Sequence, residues 1–354
     1  MKNSTISISE GKKEFKKLLY IGDIHWSHLL KDFVDRFDKS YYIVLCGDLF
    51  DRGYHSAEVY ETVRNLYEQW RLTMVQGNHD LFLSIGFGMR WESRSKFAAK
   101  ARSILSDIDR VILCETFTDQ FYSNGGEATM ISFAKAYGTN LATKVDEIID
   151  FLMQFGLYTV DPANNLVAHG TWIMCLVDGS LVWETIGGQF ISGFDYVREL
   201  NIWFRNLDRN TLFRLTARER ELGDRIYADM ERNWAIRNPE FVKGNWSYPV
   251  DIVPTWFSNR VFTDSRYIEA HKSLRIELDC RNLGRMICGH WLNDSKTFGK
   301  SDDPEMKKYW NTILRLDRSY IWLDNFGFAV IDVETNKVLE MGDSWYYMMK
   351  KRAD

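Results

Sequence analysis

The sequence predicts an α/β protein, and two patterns carry that prediction. Five apolar runs rich in aromatic and β-branched residues each deliver Asp, Asn or His at the carboxyl end. Between them lie segments with apolar residues at helical spacing. KKLLYIGDIHW at 16–26 reads as a short buried strand that stops at Gly22-Asp23, and YYIVLCGDLFDRG at 41–53 repeats the arrangement. In SAEVYETVRNLYEQW at 56–70, Val59, Val63, Leu66 and Trp70 fall at helical spacing behind Ser56, a candidate N-cap. The next strand, LTMVQGNHD at 72–80, completes a β-α-β unit. A glycine-rich turn, SNGGEAT at 123–129, precedes a helical pattern over 131–156. NLVAHG at 165–170 and RMICGHW at 285–291 are the fourth and fifth strands. The segment from about 196 to 237, rich in Arg, Glu and Trp, reads as an added helical region. The stretch 321–343 alternates around a DVETNKV turn, as a β-hairpin at a sheet edge does.

Composition narrows the function classes. With 45% hydrophobic residues in 354, the chain has material for a large core. Its 45 Lys plus Arg against 49 Asp plus Glu leave a formal net charge of -4, so no global basic field holds a polyanion. General nucleic-acid binding is not expected, although a local contact with RNA or a nucleotide stays open. Five cysteines, Cys46, Cys114, Cys175, Cys280 and Cys288, form no CxxC pair and read as reduced thiols. Nothing resembles a signal-peptide core or a membrane span, so the cytoplasm is the expected compartment.

Open α/β sheets place their chemistry outside the carboxyl ends of strands. The residues delivered there are Asp23, His25, Asp48, Asn78, His169 and His290, an oxygen and imidazole set without thiolate that suits Mn, Fe, Zn or Mg. One carboxylate between two strand ends can bridge two ions, and such a pair clamps phosphate oxygens and acidifies a shared water. Taken singly, a Gly-Asp after a strand is a turn and a lone His is a core residue. That account strains against four of the seven histidines, His25, His79, His169 and His290, lying close to a strand-ending glycine.

GDIH at 22–25, GDLFDRG at 47–53, GNHD at 77–80, AHG at 168–170 and GH at 289–290 together resemble the metallophosphoesterase superfamily, the calcineurin-like phosphoesterases. GDLFDRGYHSAEV at 47–59 is similar to the GDxxDRGxxSxEV segment of its phosphoprotein phosphatase branch, and NGGEAT resembles a turn of the bacterial and phage members. The resemblance implies a four-layer α/β/β/α sandwich with two mixed sheets, formed by one catalytic domain over 1–354 with a helical insertion at about 195–285. It places Asp23 and His25 on a first divalent ion, Asp48 between two ions, and Asn78, His169 and His290 on the second. Mn is the expected metal, with Fe, Zn or Mg as alternatives. His79 is expected to protonate the leaving alkoxide, with Asp80 holding its ring, and Arg52 to present its fork to two phosphoryl oxygens.

The pattern also departs from that branch. Gln76 stands where an arginine clamp is usual, so it is expected to give substrate one uncharged hydrogen bond. Leu292 replaces the second histidine of the GHxH motif of other branches. Arg205 in IWFRNL is a candidate substrate arginine, with a solvated helix face as the equal alternative. Trp26, Trp291 and the aromatic and basic stretch 231–246 are candidates for walls or a cover of the site. The expected function is a serine/threonine protein phosphatase-like phosphomonoesterase using metal-activated water in line, acting on a phosphorylated protein, with a phage or bacterial origin. A nucleotide phosphodiesterase or dinucleoside polyphosphate hydrolase is the alternative enzyme, and a metal-binding scaffold the non-enzymatic one.

Overall fold

The computed structural model describes residues 15–25, 28–170, short stretches between 176 and 214, 282–289, 320–323 and 327–343. Along the chain, β1 (Lys17–Ile21), α1 (Leu30–Val34), β2 (Tyr41–Leu45), α2 (Ser56–Glu68) and β3 (Leu72–Met74) form the first half of a doubly connected unit. Four helices follow in succession: α3 (Asn78–Gly88), α4 (Lys96–Ile104), α5 (Asp107–Ser123) and α6 (Gly126–Tyr137). After a 3-10 turn come α7 (Leu141–Leu152), β4 (Tyr158–Val160) and β5 (Leu166–Ala168). Two short hairpins, β6 (Leu176–Val177) with β7 (Ser180–Leu181) and β8 (Trp183–Glu184) with β9 (Phe190–Ile191), lead to α8 (Gly193–Asn206). The remaining strands are β10 (Met286–Cys288), β11 (Tyr320–Trp322), β12 (Gly327–Asp332) and β13 (Val338–Asp343).

These strands build two mixed sheets, ordered β13-β12-β1-β2-β3 and β11-β10-β5-β4. β1, β2 and β3 run parallel, as do β5, β10 and β11, so the carboxyl ends within each set share one side. Strand alternation sorts the side chains. Leu18, Tyr20, Val44, Cys46 and Val75 from the first sheet meet Val167, Ile287 and Leu323 from the second in a buried inter-sheet core. Leu19, Ile21, Ile43 and Leu45 point the other way into the helical core with Phe33, Val59 and Val63. Leu166, Ala168 and Met286 of the second sheet share an apolar cluster with Trp203 and Phe204 of α8. The layers follow the α/β/β/α order. A buried polar staple crosses between the sheets: the Tyr20 hydroxyl donates to Asp161 and accepts from Asn165 Nδ2 at 3.1 Å, and Asn165 bonds Asn336 of the β12–β13 turn at 2.9 and 3.2 Å.

Several local expectations change. Trp70 lies beyond the end of α2 with φ 57° and is 80% exposed, so the apolar stripe of that helix stops at Leu66. Ser56 is the first helical residue rather than the cap, which is His55. The turn at 123–129 is shorter than it reads, because α6 begins at Gly126, and Gly138 with φ 52° divides the long pattern after 131 into α6 and α7. Of the proposed insertion, α8 is seen, and all of 215–281 lies outside the described residues, as do Trp26, Trp291 and Leu292.

Candidate metal centre

The parallel register brings four strand ends together. β1 releases Gly22, Asp23 and His25, β2 releases Asp48, Asp51 and Arg52, β3 releases Gly77 into the N-terminus of α3, and β5 releases His169. Gly289, after β10, donates its N–H to the His169 carbonyl at 2.8 Å, so Gly289 itself lies beside the same cluster. His290 itself lies outside the described residues. Close approach accounts for two of the glycines. A Cβ at Gly77 would collide with the Asp48 carboxylate, and one at Gly289 would lie 2.6 Å from Asp23 Oδ1. His25, Asp48, Asp51 and Arg52 all adopt positive φ, between 41° and 73°, a concentration of backbone strain that marks functional loops.

Asp48 is the centre of the cluster. Its Oδ2 lies 3.4 Å from His25 Nε2, 3.3 Å from His169 Nε2 and 3.9 Å from His79 Nε2. Two donor groups share it, His25–Asp48–His79 and Asp23–Asp48–His169, each with ligand atoms within 4.8 Å of one another. The resemblance instead puts Asp23 and His25 on one ion, and the two groups divide them. His169 Nε2 also faces Asn78 Oδ1 at 3.1 Å, while its Nδ1 points at the Cys46 carbonyl at 2.8 Å.

The donor set fits cations on the evidence of its orphaned atoms. His25 Nδ1 lies 2.6 Å from the Phe50 carbonyl, which places the ring proton there and turns the Nε2 lone pair inward. That buried Nε2 has no hydrogen-bond partner among the described residues, and it faces a carboxylate oxygen. Lone pair against carboxylate is repulsive unless a cation lies between them. Burial lowers the His25 pKa to about 3 despite the Asp48 charge, so the imidazole is a neutral ligand at ordinary pH. At His169, burial opposes the charged form, but Asp48 and Asp23 outweigh it and raise the pKa to about 9. Burial likewise works against the Asp48 charge, yet His169, His79 and His25 hold its carboxyl well below the usual range.

His79 belongs to a second arrangement. Its Nδ1 lies 2.7 Å from Asp51 Oδ2, and its Nε2 faces the site, 3.1 Å from Arg52 Nη2. Burial disfavours the imidazolium, but the Asp48 charge and the Asp51 bond raise the His79 pKa overall. The expectation that Asp80 holds this ring is corrected. The Asp80 carboxylate reaches back over the start of α3 and accepts from the N–H groups of Gly77, Asp48 and Leu49, each at 2.9 Å. It clamps the backbone under Asp48, and Asp51 is the His79 partner. The signal for Asp51 was present as the second acid of GDLFDRG, three residues after Asp48.

One expected substrate contact also changes. Gln76 is fully buried, and its Nε2 donates to the Phe155 carbonyl at 2.8 Å, so it supports the entry to β4 rather than lining an open site. Arg205 is exposed on the last turn of α8, where its carbonyl accepts from Lys100 of α4. Arg52 is exposed.

Residues 16–179, somewhat under half of the chain, match the family model of the calcineurin-like phosphoesterases. No curated protein sequence matches. Among solved structures, a cold-active protein-tyrosine phosphatase of a psychrophilic Shewanella is similar at 15% identity and a TM-score of 0.41, over 92% of this chain and 77% of that one. A protein serine/threonine phosphatase from Saccharomyces cerevisiae gives 13%, 0.36, 90% and 74%, and a putative diadenosine tetraphosphatase 13%, 0.33, 94% and 96%, in the same order. At these scores the likenesses assign no substrate. No helix among the described residues is long and apolar enough to cross a membrane. The match over 16–179 encloses every described residue of the cluster before Gly289, so the part of the chain that is similar to the calcineurin-like phosphoesterases is the part that builds the candidate metal centre.

Proposed function

We propose that the chain is a phosphomonoesterase of the serine/threonine protein phosphatase type, with one catalytic domain and a helical insertion at about 195–285. The observation that carries this reading is the placement of Arg52 Nη2 3.1 Å from His79 Nε2, itself 3.9 Å from Asp48 Oδ2. Asp23, His25, Asp48, Asn78 and His169, with His290 beyond the described residues, would hold two divalent ions. Mn suits a mixed oxygen and imidazole set. Ions held there would supply polarisation of phosphoryl oxygens and a more acidic bound water. The other tasks fall to side chains. Arg52 turns its fork from His79 to two phosphoryl oxygens, a match of shape and charge that lysine lacks. His79 gives a proton from Nε2 to the leaving oxygen, while Asp51 keeps the second ring proton on Nδ1 and supports the charge. One exposed fork beside a proton donor fits a phosphoserine or phosphothreonine ester, whose alkoxide leaves only with a proton.

The test is a panel offered to manganese-loaded protein: a phosphopeptide, an aryl monoester, an aryl diester, a dinucleoside tetraphosphate and a 2′,3′-cyclic nucleotide. Preference for the phosphopeptide and aryl monoester supports the reading. Preference for a diester or nucleotide overturns it in favour of a nucleotide hydrolase. His79→Ala should lower kcat on the phosphopeptide about 10²–10⁴-fold with folding intact, and undiminished turnover would remove the proton-donor role.

A further inference from the structure

We propose that Thr129 of α6 is a positioning residue that holds the Asp51–His79 pair in register, an inference that rests on the reading of His79 as proton donor. The Thr129 hydroxyl is fully buried and makes two bonds to one residue. It accepts the Asp51 backbone N–H at 2.8 Å and donates to Asp51 Oδ1 at 3.0 Å. Its only proton is thereby used, so Ser56 Oγ, 3.0 Å away, is the donor in their contact. The other carboxylate oxygen, Oδ2, is the atom that meets His79 Nδ1 at 2.7 Å. One hydroxyl therefore sets both the backbone of Asp51, at φ 73°, and the rotation of its carboxylate, and through them the aim of the His79 ring.

The rest of α6 shows that the helix is built to receive this loop. Gly125 caps it in the left-handed region and accepts the Arg52 N–H through its carbonyl at 3.3 Å. Ser132, one turn beyond Thr129 on the same face, accepts the Ala57 N–H at 3.0 Å. Three hydrogen-bonding sites on one helix thus pin residues 51–57, and only Thr129 touches the carboxylate. An ordinary buried threonine satisfied by backbone would not also orient a side chain bonded to a reactive imidazole. Removing the hydroxyl leaves a buried N–H unpaired and frees the carboxylate to turn.

The experiment compares Thr129→Val, Thr129→Ala, Thr129→Ser and the control Ser132→Ala, in manganese-loaded protein, on p-nitrophenyl phosphate and on a phosphoserine peptide. The nitrophenolate leaves without a proton, whereas the serine alkoxide requires one. Thr129→Val and Thr129→Ala should lose about tenfold or more in kcat on the peptide and about twofold or less on the aryl ester, with KM unchanged. Thr129→Ser should restore the peptide rate, and Ser132→Ala should affect both substrates alike. In metal-free protein, the downfield proton resonance of the His79 Nδ1–H should persist in wild type, Thr129→Ser and Ser132→Ala and be lost by exchange in Thr129→Val. Equal losses on both substrates, or an unchanged resonance in Thr129→Val, overturns the proposal. If Thr129→Val does not fold, Thr129→Ala carries the same criteria without added bulk. His79→Ala separates the two readings: if it shows no preference for the aryl ester, the donor role falls, and the hold of Thr129 on the ring is decided by the resonance.

Discussion

Gln76 and Asp80, four residues apart in sequence, both spend their side chains on backbone groups of the protein. Asp80 accepts three backbone N–H groups. Asp80→Ala strands those donors in a buried place, and each unmet group costs about 1–3 kcal/mol. The expected outcome in chemical denaturation is a loss of roughly 3 kcal/mol or more, and a loss under about 1 kcal/mol would show that the clamp is dispensable. Gln76→Met removes one bond to Phe155 together with a buried Oε1 that has no hydrogen-bond partner among the described residues. KM for an aryl monoester should stay within about twofold of wild type and stability within about 1 kcal/mol, whereas a several-fold rise in KM would return Gln76 to the substrate. That Asp23, His25, Asp48, Asn78 and His169 would converge was legible because each is announced by a strand and a nearby glycine. The partner of His79 was not. Asp80 is adjacent in sequence, but at the start of a helix its carboxylate is drawn to free backbone donors, and the ring of the preceding residue points elsewhere.

At the scale of elements, the turn from β3 into α3 carries most of the constraint. Gly77 lets that turn lie against the Asp48 carboxylate, whose Oδ1 also accepts the His79 N–H at 3.1 Å. Gly77→Ala should push Asp48 off its position and weaken manganese binding about 10–100-fold by calorimetry, the usual cost of disturbing a ligand's support. Unchanged affinity with native circular dichroism would show that the turn yields more easily than its packing suggests. The amphipathic stripe of α2 was readable because one of its faces meets water, and the β12–β13 hairpin was readable from its DVETNKV turn, although β12 is buried on both faces and Val338 to Met341 of β13 are exposed. α3 was harder to read. Its residues from His79 to Gly88 are all buried, and a helix enclosed on every side shows no stripe. The short break between α6 and α7 was hidden for another reason, since Gly138 interrupts a continuous helical pattern through backbone conformation alone.

Across the whole molecule, the sheets are joined by the polar staple at Tyr20, Asp161, Asn165 and Asn336 as well as by apolar packing. Burial raises the Asp161 pKa, more than its bond from Tyr20 lowers it. A carboxyl whose folded pKa exceeds its unfolded value of about 3.9 favours the folded state most at low pH. That contribution is lost as pH rises from about 4 through the raised value. Asp161→Asn should therefore show a shallower decline in unfolding free energy over this range than wild type, measured by denaturant titration at each pH. Parallel pH profiles would place the charge in water. None of this was readable in advance, because Asp161, Asn165 and Asn336 look like turn residues until two distant loops meet. The same closure has a consequence for synthesis. β1 pairs on one side with β2 and on the other with β12, Lys17 lying opposite Asp332. At about 5–20 residues per second, roughly a quarter of a minute to a minute of translation separates those partners. Throughout that interval a nascent chain carries Leu18 to Ile21 on an uncovered strand edge, and whatever shields that edge on the ribosome governs how much protein matures.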